Sequence, residues 1–248
     1  MQLCELPALR HSLLHLSVGW VSDIDTKTKP NNRLITTGAF DANIDRVASW
    51  CAAQPRPILM RIGYEFDRGL PVRDFHYDPA YFPAAFRRVV DRVRAAGADN
   101  VASVLASTNY PSLSPALTTE SFNRFYPGDD YVDWVGTDFY SDNQDWKALT
   151  GMYRRYDSKP FALPEWGVSS GDDPRYVEHL LAWVKRHERC KMLVYYQDFG
   201  TSSPYRIQNY PASIGVLDRM IHSKRFPAFA PGHPTPPPAP PGGVAANE

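Results

Sequence analysis

Cysteine is scarce in this 248-residue chain, and the three present, Cys4, Cys51 and Cys190, are an odd, widely spaced set. That excludes a disulfide framework and a zinc-ligand spacing and leaves buried thiols as the simplest reading. Charge of one sign is missing too: 27 Lys+Arg balance 27 Asp+Glu, so the basic excess that phosphate neutralisation requires is absent and a general nucleic-acid binder is excluded. No apolar run approaches the roughly 20 residues of a membrane-spanning helix. The N-terminal stretch lacks the charged segment, unbroken apolar segment and small-residue cleavage site of a secretory signal. There is no nucleophile-elbow pattern, P-loop or dinucleotide glycine fingerprint, which sets aside nucleophilic-triad and nucleotide chemistry. The histidines, His11, His15, His76, His179, His187, His222 and His233, are scattered, and none pairs with a carboxylate at a metal-motif spacing, so neither metal nor organic cofactor is expected.

Proline, by contrast, is plentiful and concentrated. Pro227, Pro231, Pro234, Pro236 to Pro238, Pro240 and Pro241 precede Gly242-Gly243. Proline at that density removes backbone donors and favours extended conformations, so 227–248 reads as a disordered tail or linker and 1–226 as the folded domain.

Within that domain short apolar runs alternate with amphipathic stretches. Leu13 to Trp20, Ile58 to Tyr64, Asn100 to Ala106, Val132 to Asp138, Lys159 to Glu165 and Lys191 to Gln197 read as buried strands. Ala42 to Ala53, Pro79 to Ala96, Asp145 to Tyr156 and Pro174 to Arg189 read as helices, with a further possible helix at Leu6 to Leu14. In the stretch from Pro79, Phe82, Phe86, Val89, Val90 and Val93 form one stripe, and Gly97 marks the end. Apolar strands alternating with helices predict an α/β fold with a parallel sheet under helices. A (β/α)8 TIM-type barrel takes eight strands and typically about 250 residues. The six strands recognised here therefore predict an N-terminally incomplete barrel, with Met1 not the start of the domain.

Glu65 and Glu165 stand apart from the other acidic residues, because each lies at the carboxyl end of a predicted strand, where barrel active sites are built. Strand alternation puts Arg61, Gly63 and Glu65 on one face and Phe161, Leu163 and Glu165 on one face of the later strand. Glycoside hydrolysis needs two such carboxyl groups across one bond, one to protonate the leaving oxygen and one to act as nucleophile or base. A cap or rim ion pair is the alternative for either glutamate alone. Trp20, Tyr64, Phe66, Tyr140, Trp166 and Tyr196 gather at the same strand ends, where aromatic rings serve equally as core residues or as platforms for sugar rings.

Three segments carry a resemblance: Pro57 to Asp67 (PILMRIGYEFD), Tyr131 to Tyr140 (YVDWVGTDFY) and Lys159 to Gly167 (KPFALPEWG). In order and spacing they resemble glycoside hydrolase family 26, the β-mannanase family of clan A retaining enzymes. The resemblance implies a (β/α)8 fold in which Glu65, after the barrel's fourth strand, is the acid/base and Glu165, after its seventh, the nucleophile. Leu13 to Trp20 then becomes the third strand, and the family's first two are missing. Arg61 matches an arginine that pairs with a site carboxylate, and Tyr140 matches a tyrosine that hydrogen-bonds the nucleophile. Trp166 would shape the sugar cleft, as would Trp20. Tyr64 departs from the family, whose mannanases usually carry histidine there, and Asp67-Arg68-Gly69 replaces a frequent Asn-Gly. Tyrosine still hydrogen-bonds a sugar hydroxyl but is not cationic at neutral pH, which makes the chain a divergent branch.

The resemblance implies a retaining hydrolase of β-mannan or a related β-glycan working by double displacement, with carboxyl groups about 5 to 5.5 Å apart. The alternative is a catalytically inactive carbohydrate-binding barrel. A polysaccharide or oligosaccharide is the expected partner of a monomer, and secretion or cell-surface display is implied by the resemblance alone.

Overall fold

The computed structural model describes residues 13–19, 32–67, 77–108, 123–169, 171–198 and 200–221. Trp20, nearly all of the possible N-terminal helix and the proline-rich stretch lie outside the described residues, although Leu14, given to that helix, is in a strand.

All six predicted strands form: β1 (Leu14–Val18), β2 (Ile58–Ile62), β3 (Val101–Ser107), the pair β4 (Trp134–Thr137) and β5 (Phe139–Tyr140), β6 (Phe161–Gly167) and β7 (Cys190–Tyr195). The fourth is broken in two at Asp138. Every pairing is parallel, and neighbours in the sheet are neighbours in sequence, β1 to β2, β3, β4/β5, β6 and β7. A doubly wound sheet would reverse its strand order somewhere, whereas one-way progression is how a barrel is wound. The described strands thus form a curled, incomplete (β/α)8-type barrel; among the described residues β1 pairs only with β2 and β7 only with β6.

The helices are α1 (Asn32–Thr36), α2 (Asp41–Ala52), α3 (Phe82–Ala95), α4 (Trp146–Arg155), α5 (Pro174–Arg186) and α6 (Pro211–Ile221). In α3 the predicted stripe is buried, and Gly97 at φ +71° takes the left-handed conformation that ends a helix. The next two helices start on aspartates: Asp145 accepts Ala148 N–H at 2.8 Å, and Asp173 accepts Tyr176 N–H at 2.9 Å ahead of Pro174. Two elements carry no reading from sequence. The five-residue α1 is too short to show a stripe, and Gly215 weakens the pattern of α6.

Alternation divides the strands between two layers. Ile58, Met60 and Ile62 of β2 join Leu105, Val135, Phe161 and Leu163 in the core beneath the helices. Leu59, Val104, Ala162 and Met192 form a separate inner layer, with Ala102, Trp134 and Val194 against it. The strands approach closely around Gly136, where an added Cβ would come within 2.6 Å of the Ala162 carbonyl oxygen. Among the described residues no helix is long and apolar enough to cross a membrane.

Candidate active site

Arg61 organises the site. It shares the inner face with Leu59, because Ile58, Met60 and Ile62 take the helix side, and it is wholly buried. A guanidinium there needs ionic partners, and it has two: Nη2 donates to Asp138 Oδ2 at 2.6 Å, and Nη1 donates to Glu165 Oε1 at 2.5 Å. Burial works against its charge, but Asp138, Glu165 and Glu65 outweigh that and hold Arg61 protonated.

Asp138, absent from the sequence-based candidates, sits in the break between β4 and β5 and fixes its backbone by donating N–H to Ser107 O at 3.0 Å. Burial raises its carboxyl well above the ordinary aspartate range, Arg61 pulls it back, and Glu165 and Glu65 push it up again. Its Oδ1 has no hydrogen-bond partner among the described residues. One guanidinium thus faces three acidic side chains, an arrangement that favours keeping a proton within the cluster.

Glu165 lies inside β6 rather than at its end, since the strand continues to Gly167. Its direction comes from an irregularity. β6 pairs Ala162 with Gly136 and then Trp166 with Phe139, so β6 contains one more residue than its partner across the break, and its register with β7 slips over the same stretch. Pro164, which has no N–H to pair, occupies that bulge. The result is that Glu165 Oε2 accepts the Tyr140 hydroxyl at 2.9 Å while Oε1 is on Arg61. The two carboxylates on Arg61 differ in access: the Asp138 side chain is 1% exposed and that of Glu165 22%. Glu165 is the one a substrate can reach. Burial and then the charge of Glu165 keep the Tyr140 phenol protonated, as a standing donor.

Glu65 is positioned differently from the alternation argument. β2 stops at Ile62, and Gly63 (φ +63°) and Glu65 (φ +48°) are left-handed, so the strand rule does not extend to Glu65. A turn carries it instead, in a conformation uncommon for a residue with a Cβ, of the kind held at functional sites by surrounding structure. Glu65 is 6% exposed. Its charge acts on Arg61, Asp138 and Tyr140, each of which also feels Glu165, so both glutamates belong to one cluster. His15 on β1 stays neutral, lowered to about 4 by burial and by Arg61, and is no proton donor at neutral pH.

The aromatic candidates separate. Tyr64 is half-buried, with Arg61 5.7 Å from its ring centre and Gly19 packed so closely that a Cβ there would meet Tyr64 at 2.5 Å. Tyr196 is 42% exposed, edge-on to Tyr140, and Tyr205 from the following loop meets both rings at 5.4 and 5.2 Å. Trp166, expected to shape the cleft, is instead 3% exposed and packs edge-on against Tyr195 in the helix-side core, because alternation from Glu165 turns it outward. Phe66 is likewise core, against Phe82 and Phe125. Trp20 lies outside the described residues. Among the described residues no group of three or more His, Cys, Asp or Glu side chains could hold a metal ion.

Comparisons with known proteins bear on the family and the fold. The sequence model of Glycosyl hydrolase family 26 matches residues 78–185. A β-1,3-xylanase of a Vibrio species is 28% identical over 138 residues, and one of an Alcaligenes species 27% over 138; the match takes 53% of this chain in each case. It spans only 28% and 27% of those two proteins. Among solved structures, a GH26 β-mannanase from Bacteroides ovatus superposes with a TM-score of 0.67 at 20% identity, covering 90% of this chain and 71% of that one. A Bacillus subtilis mannanase gives 0.51 at 19%, covering 80% and 55%.

Proposed function

We propose that this chain, whose residues 78–185 match the model of glycosyl hydrolase family 26, is a retaining glycoside hydrolase of a β-linked polysaccharide, with Glu165 as nucleophile and Glu65 as acid/base. The observation that carries the reading is the grip on Glu165. One carboxylate oxygen is held by Arg61 and the other by Tyr140, on a side chain open to solvent. A nucleophile needs that combination of ionisation, orientation and access. In the first step a Glu165 oxygen bonds to the anomeric carbon as the glycosidic C–O bond breaks, and Glu65 gives its proton to the departing oxygen. In the second, Glu65 takes a proton from water, whose oxygen attacks the anomeric carbon and releases the Glu165 carboxylate. Two inversions give net retention. Arg61 stabilises Glu165 as the anion that enters and leaves the cycle.

The nature of the glycan follows from the chemistry of the opening and from the relatives together. Tyr196 and Tyr205 offer ring faces for sugar C–H surfaces. The sequence relatives are β-1,3-xylanases and the structural ones mannanases, so β-mannan and β-1,3-xylan are the first substrates to try. The test is reducing-sugar release from mannan, glucomannan, β-1,3-xylan, β-1,4-xylan, mixed-linkage β-glucan and a bacterial exopolysaccharide. Release that gives the β-anomer first by NMR supports the reading. Binding without release, from a cooperatively folded protein, would establish the carbohydrate-binding barrel instead.

Tyr140→Phe separates positioning from binding. The ring and its packing stay, and the 2.9 Å bond to Glu165 goes. We expect kcat to fall about 10²-fold, the scale of losing one donor at a reacting oxyanion, with KM within about threefold of wild type. A raised KM at unchanged kcat would assign Tyr140 to substrate binding.

A further inference from the structure

The turn that carries Glu65 holds a second acid that the reaction above does not use. Asp67, two residues on, is 2% exposed. Its Oδ1 accepts the Thr108 backbone N–H at 2.7 Å, and its Oδ2 lies 3.4 Å from Thr108 Oγ1. One carboxyl group therefore fastens the end of the turn to the residue that follows β3, and that anchor helps hold Glu65 at φ +48°. An amide oxygen would accept the same N–H. What a carboxyl group adds is charge, and it adds it without a cation in either Thr108 contact.

We propose that Asp67 is a positioning residue for Glu65: its carboxyl anchors the turn on Thr108, and its ionisation places a negative charge that opposes a second one on Glu65. The proposal rests on Glu65 being the acid/base. Burial pushes Asp67 up to about 7; the bonds from Thr108 N–H and from its own backbone pull it back, and the charge of Glu65 pushes it up again. Thr108, its contact across the turn, carries no charge. Coupling of this kind is reciprocal. Below about pH 7 Asp67 is neutral; above it, Asp67 adds a negative charge to the turn that carries Glu65. The same raised value bears on stability. An acid favoured neutral in the fold contributes stability below its unfolded value of 3.8, which is lost as pH rises through about 7.

The Thr108 amide is a direct probe, because it is bonded to the group in question. In 15N-labelled protein its shift is expected to titrate near pH 7, and in Glu65→Gln, where the repelling charge is gone, its midpoint moves to lower pH. Asp67→Asn abolishes that titration and keeps the anchor, and the alkaline limb of its kcat/KM profile moves to lower pH by about half a unit or more. A Thr108 amide that titrates below pH 5, or whose midpoint is unmoved in Glu65→Gln, overturns the proposal even if Asp67→Asn does not fold. Turnover with superimposable profiles for wild type and Asp67→Asn overturns it as well. Absence of turnover of every glycan by wild type is a different result, and it removes the acid/base reading on which the proposal rests.

Discussion

Glu165→Gln is expected to lose glycan turnover by a factor on the order of 10⁴ to 10⁶, the scale of deleting a nucleophile from a preorganised site, with its unfolding transition close to wild type. The replacement is nearly isosteric and its amide can meet the existing partners. The amide oxygen accepts from Arg61, and the amide nitrogen donates to Tyr140 once that hydroxyl turns to accept. What disappears is the electron pair that bonds to the anomeric carbon. Glu65→Gln gives the contrasting pattern. A glycan needs a proton on its leaving oxygen, so polysaccharide turnover falls, but a dinitrophenyl glycoside, whose leaving group needs none, still transfers its sugar to Glu165. Added azide then restores turnover in Glu65→Gln by taking the place of activated water, and the product is the β-glycosyl azide. In Glu165→Ala, where the side chain is cut back, azide attacks from the vacated side and gives the α-azide. If Glu165→Gln kept wild-type turnover of polysaccharide, or if the two azide products were reversed, the assignment of roles would be wrong.

Periodicity made the scaffold legible. The strands β2 and β6 are covered on both faces and so read as largely apolar runs, and α3 and α5 carry stripes wide enough to see. What was not legible was set by contacts distant in the chain. The N-terminus of α6 is satisfied by Asp172, some 40 residues earlier, which accepts from Ala212 N–H, Ser213 N–H and Ser213 Oγ, and no local pattern announces that. The sequence places Glu65 by strand alternation, but alternation ends at Ile62 and two left-handed residues do the aiming. Trp166 shows the converse: the bulge at Pro164 turns Glu165 away from the face of Phe161 and Leu163, and the next residue returns to the core. Asp138 leaves a trace in the sequence. A lone acid in the buried run Val135 to Tyr140, two residues before Tyr140, has to meet a cation, and Arg61 is the buried one it meets.

Arg61 is also where fold and chemistry depend on one side chain. Arg61→Met keeps most of the volume and removes the charge, leaving Asp138 buried with no cation beside it and Glu165 without its strongest partner. Breaking a buried pair from one side costs about 3 to 5 kcal/mol, and that is the loss expected in urea unfolding at pH 8. At pH 5 the loss is smaller, and the sign follows from linkage. Burial already raises Asp138 in wild type, and without Arg61 it rises further, so between its unfolded and folded values the folded variant binds the extra proton and stability falls as pH increases. Asp138→Asn added to Arg61→Met removes the stranded charge and should recover a large part of the loss at pH 8, although activity stays low because Glu165 remains ungripped. Arg61→Lys retains a charge but not the fork that reaches Asp138 and Glu165 together, so it restores stability better than it restores kcat. A loss equal at pH 5 and pH 8, or no recovery in the double variant, would mean that Arg61 acts through packing alone and that the barrel does not depend on the charges gathered around it.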